Sequence, residues 1–187
     1  MKGIIFNLVE DWVVDAHGPA AWDQALEQAG LDGAYTAMGT YRDSDLTALV
    51  TAASSVLGVD PSDLTREVGR SALGRLAERF PRFLSPHDSA RSFLLTLNDV
   101  IHPEVGKLLG DTQPPDFWFD ENDPDNLRVH YRSRRRLCAF AEGMIEGAAH
   151  HYGQTATVTH LQCMHDGADH CAFDTGLSAA HAAGAAR

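Results

Sequence analysis

LRVHYRSRRRLCAF, residues 127–140, is the stretch whose reading decides the fold. Its first half alternates, with Leu127, Val129 and Tyr131 pointing one way, as on a strand with one buried face. Carried to the end of the run, that extended register puts Tyr131, Ser133 and Arg135 on one face. A phenol, a hydroxyl and a guanidinium then stand in a row. Same-face neighbours on a strand are about 6.6 Å apart, so the row can grip an anion with two separated oxygen groups. The guanidinium offers a carboxylate a bidentate fork, and each hydroxyl adds one hydrogen bond. From Arg136 the period turns helical, with Leu137, Phe140, Ala141, Met144, Ile145 and Ala148 on one stripe. A strand feeding a helix here implies a sheet with a helix laid against it. The plainer reading is a basic strand end that leads into a core helix and binds nothing.

A second stretch, SFLLTLNDVIHPEVGKLL (92–109), is apolar, helix-like and interrupted by His102-Pro103. Proline has no N–H and disfavours helix at the residue before it, so the helix is expected to break or restart here. A histidine at such a break projects with one ring nitrogen free. Bordered by Leu, Val and Ile, its imidazole suits an axial ligand to haem iron. The alternative is a histidine satisfied at a helix end.

Taken together, NDVIHPEVGKL and YRSRRR closely resemble the haem nitric oxide/oxygen binding (H-NOX) family. MKGIIFNLVED, AGLDGAYT and the ending CMHDGADHCAF extend the resemblance over residues 1–177. It implies haem b bound through His102 as proximal ligand, with Tyr131, Ser133 and Arg135 (the Y-x-S-x-R motif) on the propionates. It also implies a proline, Pro115 or Pro114, against the haem face, and Ile5 lining the pocket. Oxygen-binding members place a distal tyrosine where this chain has Phe140, and Val9 and Gly74 supply no donor either. The resemblance therefore implies a sensor of nitric oxide, also binding CO, that excludes oxygen. In the family nitric oxide weakens the iron–histidine bond, so the helix around Pro103 is expected to shift. The rival is that Tyr152, Tyr35 or Tyr41 reaches the pocket. Stand-alone members work with a histidine kinase or a cyclic-dinucleotide signalling enzyme, and a partner of that kind is expected here.

The 187 residues, 44% hydrophobic, suffice for one domain with a sizeable core. The expected domain is 1–177, with a frayed tail over 178–187. No apolar run approaches the roughly 18 residues of a membrane span, and Glu10 and Asp11 interrupt the N-terminal apolar run too early for a signal peptide. A cytoplasmic location is the default. A net charge of −11 argues against nucleic acid.

Periodicity and caps predict helices over about 2–16, 20–29, 43–57 and 61–80, and a further helical segment beginning at Ser85-Pro86. Asp43 or Ser44 should cap the third of these and Asp60 the fourth. After 110 the pattern changes to a hairpin of Phe117-Trp118-Phe119 with 127–133, a helix over 136–152, and strands over 154–164 and 170–175. The fold class is thus α+β: a helical N-terminal half packed on a C-terminal antiparallel sheet with one helix, the haem between them.

Three cysteines, Cys138, Cys163 and Cys171, cannot close a full set of disulfides. His160 precedes Cys163 by three residues, and H-x-x-C with two remote cysteines can complete a tetrahedral zinc site. The alternative is that Cys138 and Cys171 are small buried hydrophobes. Some H-NOX members look similar here and hold zinc with three cysteines and a histidine, which the resemblance carries to Cys138, His160, Cys163 and Cys171. His165 and His170 stand as substitutes for His160. No H-E-x-x-H, nucleophile–base pair or phosphate-binding glycine loop supports an enzyme. The competing reading is a haem-free small-molecule-binding domain resembling the 4-vinyl reductase family.

Overall fold

The helical half begins with α1 (Gly3–His17) and α2 (Pro19–Ala29), separated by Gly18 at φ +85°, a conformation glycine adopts freely. In this computed structural model, which describes residues 1–110, 113–121, 123 and 126–179, α3 (Asp43–Leu57) and α4 (Pro61–Arg79) follow. As expected, Asp60 caps α4, its carboxylate accepting from the Ser62 N–H at 2.7 Å, with Pro61 at the first position. Asp43 does not cap α3. It is the first helical residue, and its carboxylate instead takes the Met1 amine at 2.7 Å and the Arg135 guanidinium at 3.0 Å. Two cations from distant parts of the chain outcompete a neutral backbone N–H.

Pro86 does not start the His102-bearing segment. After the single turn α5 (Pro81–Leu84), Ser89 caps α6 (Ala90–Leu94), and a π turn over Leu97–Ile101 leads into α7 (His102–Leu109). The helix thus restarts at His102, with Pro103 in the first turn, where no N–H is missed.

The sheet contains β1 (Asp116–Asp120), β2 (Asn126–Arg132), β3 (Gln154–Gln162) and β4 (Cys171–Ala179), all antiparallel, in the order β1-β2-β4-β3. Leu127, Val129 and Tyr131 are buried and Arg128 and Arg132 exposed, as the alternation predicts. Helix α8 (Cys138–His151) packs Ala141, Ile145, Ala148 and Ala149 on the inner face. The expected α+β architecture is therefore the one adopted. Strand β4 extends past the expected tail boundary, since Ser178 and Ala179 pair with Thr155 and Gln154. The rest of that tail, 180–187, lies outside the described residues. No helix among the described residues is long and apolar enough to cross a membrane.

Two apolar clusters meet along α4 and α8. One gathers Phe6, Leu8, Val9, Leu49, Leu64 and Val68, the other Leu73, Phe93, Phe117, Val129, Ile145 and Phe173. The two helices cross at glycines. A Cβ on Gly69 would strike the Phe140 carbonyl, and one on Gly143 the Arg66 carbonyl. Their backbones can approach so closely only because those side chains are absent.

Candidate functional site

The extended register does not persist through the Y-x-S-x-R run. Strand β2 ends at Arg132, and a turn follows in which the Arg136 N–H donates to the Ser133 carbonyl at 3.2 Å. The Ser133 hydroxyl accepts from the Arg135 N–H, also at 3.2 Å. Arg136 has φ +50°, the only non-glycine residue at positive φ among the described residues. The apolar alternation that holds β2 on the core stops at Tyr131, so nothing holds Arg134, Arg135 and Arg136 in register beyond the strand. The turn still gathers the three expected residues. Tyr131 is buried, with its hydroxyl toward the Ser133 side chain and the Leu137 backbone, and burial pushes its pKa up to about 12. It remains a neutral hydrogen-bonding group at any physiological pH. Arg135 donates through Nε to Asp43 and through Nη1 to the Gln113 carbonyl at 2.9 Å.

His102 sits where the π turn hands over to α7, its N–H bonded to the Leu97 carbonyl. Its ring is half-buried, and Nδ1 is buried without a partner among the described residues. Burial lowers the imidazole pKa, with Asp116 opposing, so the neutral form is favoured. An unpaired nitrogen on a neutral imidazole is the form that ligates a metal. The ring lies 5.8 Å from Phe117, which in turn lies 5.3 Å from Tyr131 and pairs with it in the sheet. Pro115, two residues before Phe117, is half-buried and Pro114 exposed.

Ile5 and Phe140 come together. With Val9, Leu46, Val50, Leu64, Val68 and Leu137 they line a small apolar cavity of about 20 Å³. The remaining lining residue is Thr65, whose hydroxyl donates back to the Pro61 carbonyl at 2.7 Å. Gly74, expected beside this pocket, is exposed on α4 instead. None of the rival tyrosines lines the cavity. Tyr35 and Tyr41 pack on Phe6 beside the 31–41 loop, and the Tyr152 hydroxyl donates to the Leu84 carbonyl at 2.8 Å. A larger cavity, about 810 Å³, opens on the other side of the turn, among Asp43, Arg134, Arg135, Cys138, His160 and Cys163. His102 borders neither cavity and reaches the turn through Phe117.

The three thiols also come together. Cys138 Sγ lies 3.0 Å from Cys171 Sγ and 3.9 Å from Cys163 Sγ, and the last two are 3.9 Å apart. Burial and the neighbouring sulfurs push the Cys138 pKa up, and burial raises that of Cys171. Without a cation beside them Cys138 and Cys171 keep their protons. Three sulfurs at 2.3 Å from a tetrahedral zinc would stand about 3.8 Å apart. The two 3.9 Å separations match that spacing, while Cys138 and Cys171 would have to part from 3.0 Å. His160 does not join the cluster: its Nδ1 pairs with Glu142 at 2.8 Å. His170 turns away to Asp169 and Gln162, and the His165 ring bonds the Arg136 carbonyl at 2.9 Å.

Several contributors escape a sequence reading. Asp43, 92 residues from Arg135, and Phe117, between His102 and Tyr131, owe their places to tertiary structure. Glu142 carried a visible signal, being with Glu146 one of two carboxylates on a largely apolar helical stretch.

A family model described as haem-NO-binding matches residues 2–160. The crystal structure of an H-NOX protein from S. oneidensis in the Fe(II)NO ligation state is 35% identical, with a TM-score of 0.88 over 95% of this chain and 99% of that one. The Fe(II) unliganded H-NOX protein from K. algicida is 27% identical, with a TM-score of 0.86 over 95% of this chain and 97% of that one. Soluble guanylate cyclase gcy-31 of Caenorhabditis elegans is 23% identical over 175 residues, which are 86% of this chain and 23% of that relative. The chain thus spans under a quarter of that curated relative's length.

Proposed function

Because the chain belongs to the haem-NO-binding, or H-NOX, family of haem-based gas sensors, we propose that it holds haem b through His102 and senses nitric oxide while excluding oxygen. The observation that carries this reading is the buried, unpaired nitrogen of a neutral imidazole at the first residue of α7. Haem held there by His102 would supply a ferrous iron able to bind a diatomic gas. Tyr131, Ser133 and Arg135 are the propionate partners. Their turn offers two hydroxyls and a guanidinium within a few residues, and Arg135 already carries one carboxylate, Asp43. Pro115 and Ile5 are pocket walls.

Selectivity rests on Phe140. Bound oxygen gains from a hydrogen-bond donor, and nitric oxide does not need one. The cavity beside Phe140 offers no free donor, since its one hydroxyl, Thr65, is committed to Pro61. The absorption spectrum of the ferrous protein should stay unchanged in air and shift with nitric oxide or CO. A stable change under oxygen overturns the selectivity, and Phe140→Tyr should make an oxygen complex longer-lived.

A structural zinc bound by Cys138, Cys163 and Cys171 belongs to the same reading, with His160 completing the set once it leaves Glu142. The domain runs through β4 to Ala179 and works in the cytoplasm on a separate histidine kinase or cyclic-dinucleotide enzyme, with no catalysis of its own. α7 is the output element. It starts at His102 and hangs from a π turn, so a change at the ring reaches the helix directly.

A further inference from the structure

Asn98 is not among the residues proposed to contact haem. It lies in the π turn, four residues before His102, and its side chain is not in the core. Yet its amide reaches across to β1 and engages one residue twice. Its Oδ1 accepts from the Phe117 N–H at 3.1 Å, and its Nδ2 donates to the Phe117 carbonyl. β1 is the edge of the sheet, with only β2 beside it. Residues of an edge strand alternately turn their N–H and C=O outward, away from the partner strand. Phe117 is such a residue, and the Asn98 carboxamide, itself one N–H and one C=O, takes the place of an absent strand at that point. Phe117 is also the aromatic link between His102 and Tyr131. The turn that carries His102 is therefore tied by two hydrogen bonds to the residue its ring packs on.

We propose that Asn98 is a positioning residue: its amide latches the His102-bearing π turn to edge strand β1, so that α7 and β1 move as one body when the site responds. The proposal rests on the reading of His102 as the haem ligand, and it adds the route by which that site reaches the sheet. A π turn stores one extra residue in the helix and is easily rearranged, so without a latch α7 could shift while β1 stayed still. With it, displacement of the turn either pulls β1 along or breaks both bonds.

The test is hydrogen exchange on the full chain, with and without nitric oxide, in wild type, Asn98→Ala and Asn98→Asp. In wild type the gas should change exchange in both 97–109 and 116–120. In Asn98→Ala the change should be confined to 97–109, and the iron–histidine stretching band of the ferrous protein should broaden or shift. Asn98→Asp keeps the acceptor for the Phe117 N–H and loses the donor, so it should fall between the two. A joint response retained in Asn98→Ala overturns the latch, as does an unaltered iron–histidine band, which would leave Asn98 a mere edge cap. A wild-type protein with no Soret band defeats the haem reading alone. The latch is then judged on the apoprotein. There Asn98→Ala must speed exchange of the Phe117 and α7 amides about tenfold relative to Ile145 in α8, the scale of two net hydrogen bonds at an exposed edge. Equal rates overturn it.

Discussion

Tyr131 shows at the scale of one residue how the site and the stability of the fold share a group. Its hydroxyl ionises near pH 10 in an unfolded chain, and burial pushes that to about 12 in the folded one. Between those values the unfolded chain loses a proton that the folded chain keeps. Stability due to this residue is therefore complete below pH 10 and declines as pH rises toward 12. The difference is worth up to about 3 kcal/mol, one pKa unit being about 1.4 kcal/mol. Tyr131→Phe should flatten the fall of the unfolding free energy over that range, measured by urea denaturation at stepped pH. A slope equal to wild type would mean that the hydroxyl is not buried as described. The positions of Tyr131 and His102 were legible because each sits in an apolar pattern with its own period. Arg135 was legible as the guanidinium of the Y-x-S-x-R row, but its place was not, because the extended register ends at Arg132. Its distance partner, Asp43, looked like a helix cap because a cap is the local use of an aspartate, and no local signal reports a cation 92 residues away.

At the scale of elements, the crossing of α4 and α8 carries the pocket wall, because Phe140 lies on the crossing itself. Gly143→Ala drives a methyl into the Arg66 carbonyl, a backbone atom that cannot swing aside. The variant should lose about 1–3 kcal/mol in chemical denaturation, the usual cost of overpacking. Gly74 is the internal control. It lies on α4, the facing helix, exposed, with open space at its Cβ position. Gly74→Ala should gain about 0.5–1 kcal/mol from helix propensity. Equal effects of the two substitutions would refute the close crossing. The thiol cluster joins three further elements: the start of α8, the turn after β3 and the start of β4. If zinc ties them, metal analysis should find about one ion per chain, and Cys163→Ala should lower both zinc content and Tm. Unchanged values in that variant would show that the thiols hold no metal. Cysteine spacing announced this convergence. The histidine did not follow, because Glu142 on α8 reaches His160 on β3 directly and supplies a charged partner where spacing alone foresaw a metal.

Over the whole molecule, the haem reading requires that two apolar clusters part around one ligand. His102 and Phe117 belong to the side built on the sheet, Ile5 and Val9 to the side built on α1, and Leu137 with Phe140 lies at the seam. The α+β division was legible because the sequence changes period near residue 110, from helical stripes to strand alternation. The π turn was not legible, since its five residues carry the same apolar spacing as an α-helix and only the backbone bonds from Ile101 to Thr96 and from His102 to Leu97, one residue longer than α, distinguish it. The measurement that tests the central claim most directly is the haem content and absorption spectrum of His102→Gly, with and without free imidazole. The account predicts a variant that takes up haem properly only when imidazole is supplied, with a wild-type-like Soret band restored by it. Full haem content and an unchanged spectrum without imidazole would contradict it, and a wild-type protein that never acquires a Soret band would favour the haem-free alternative.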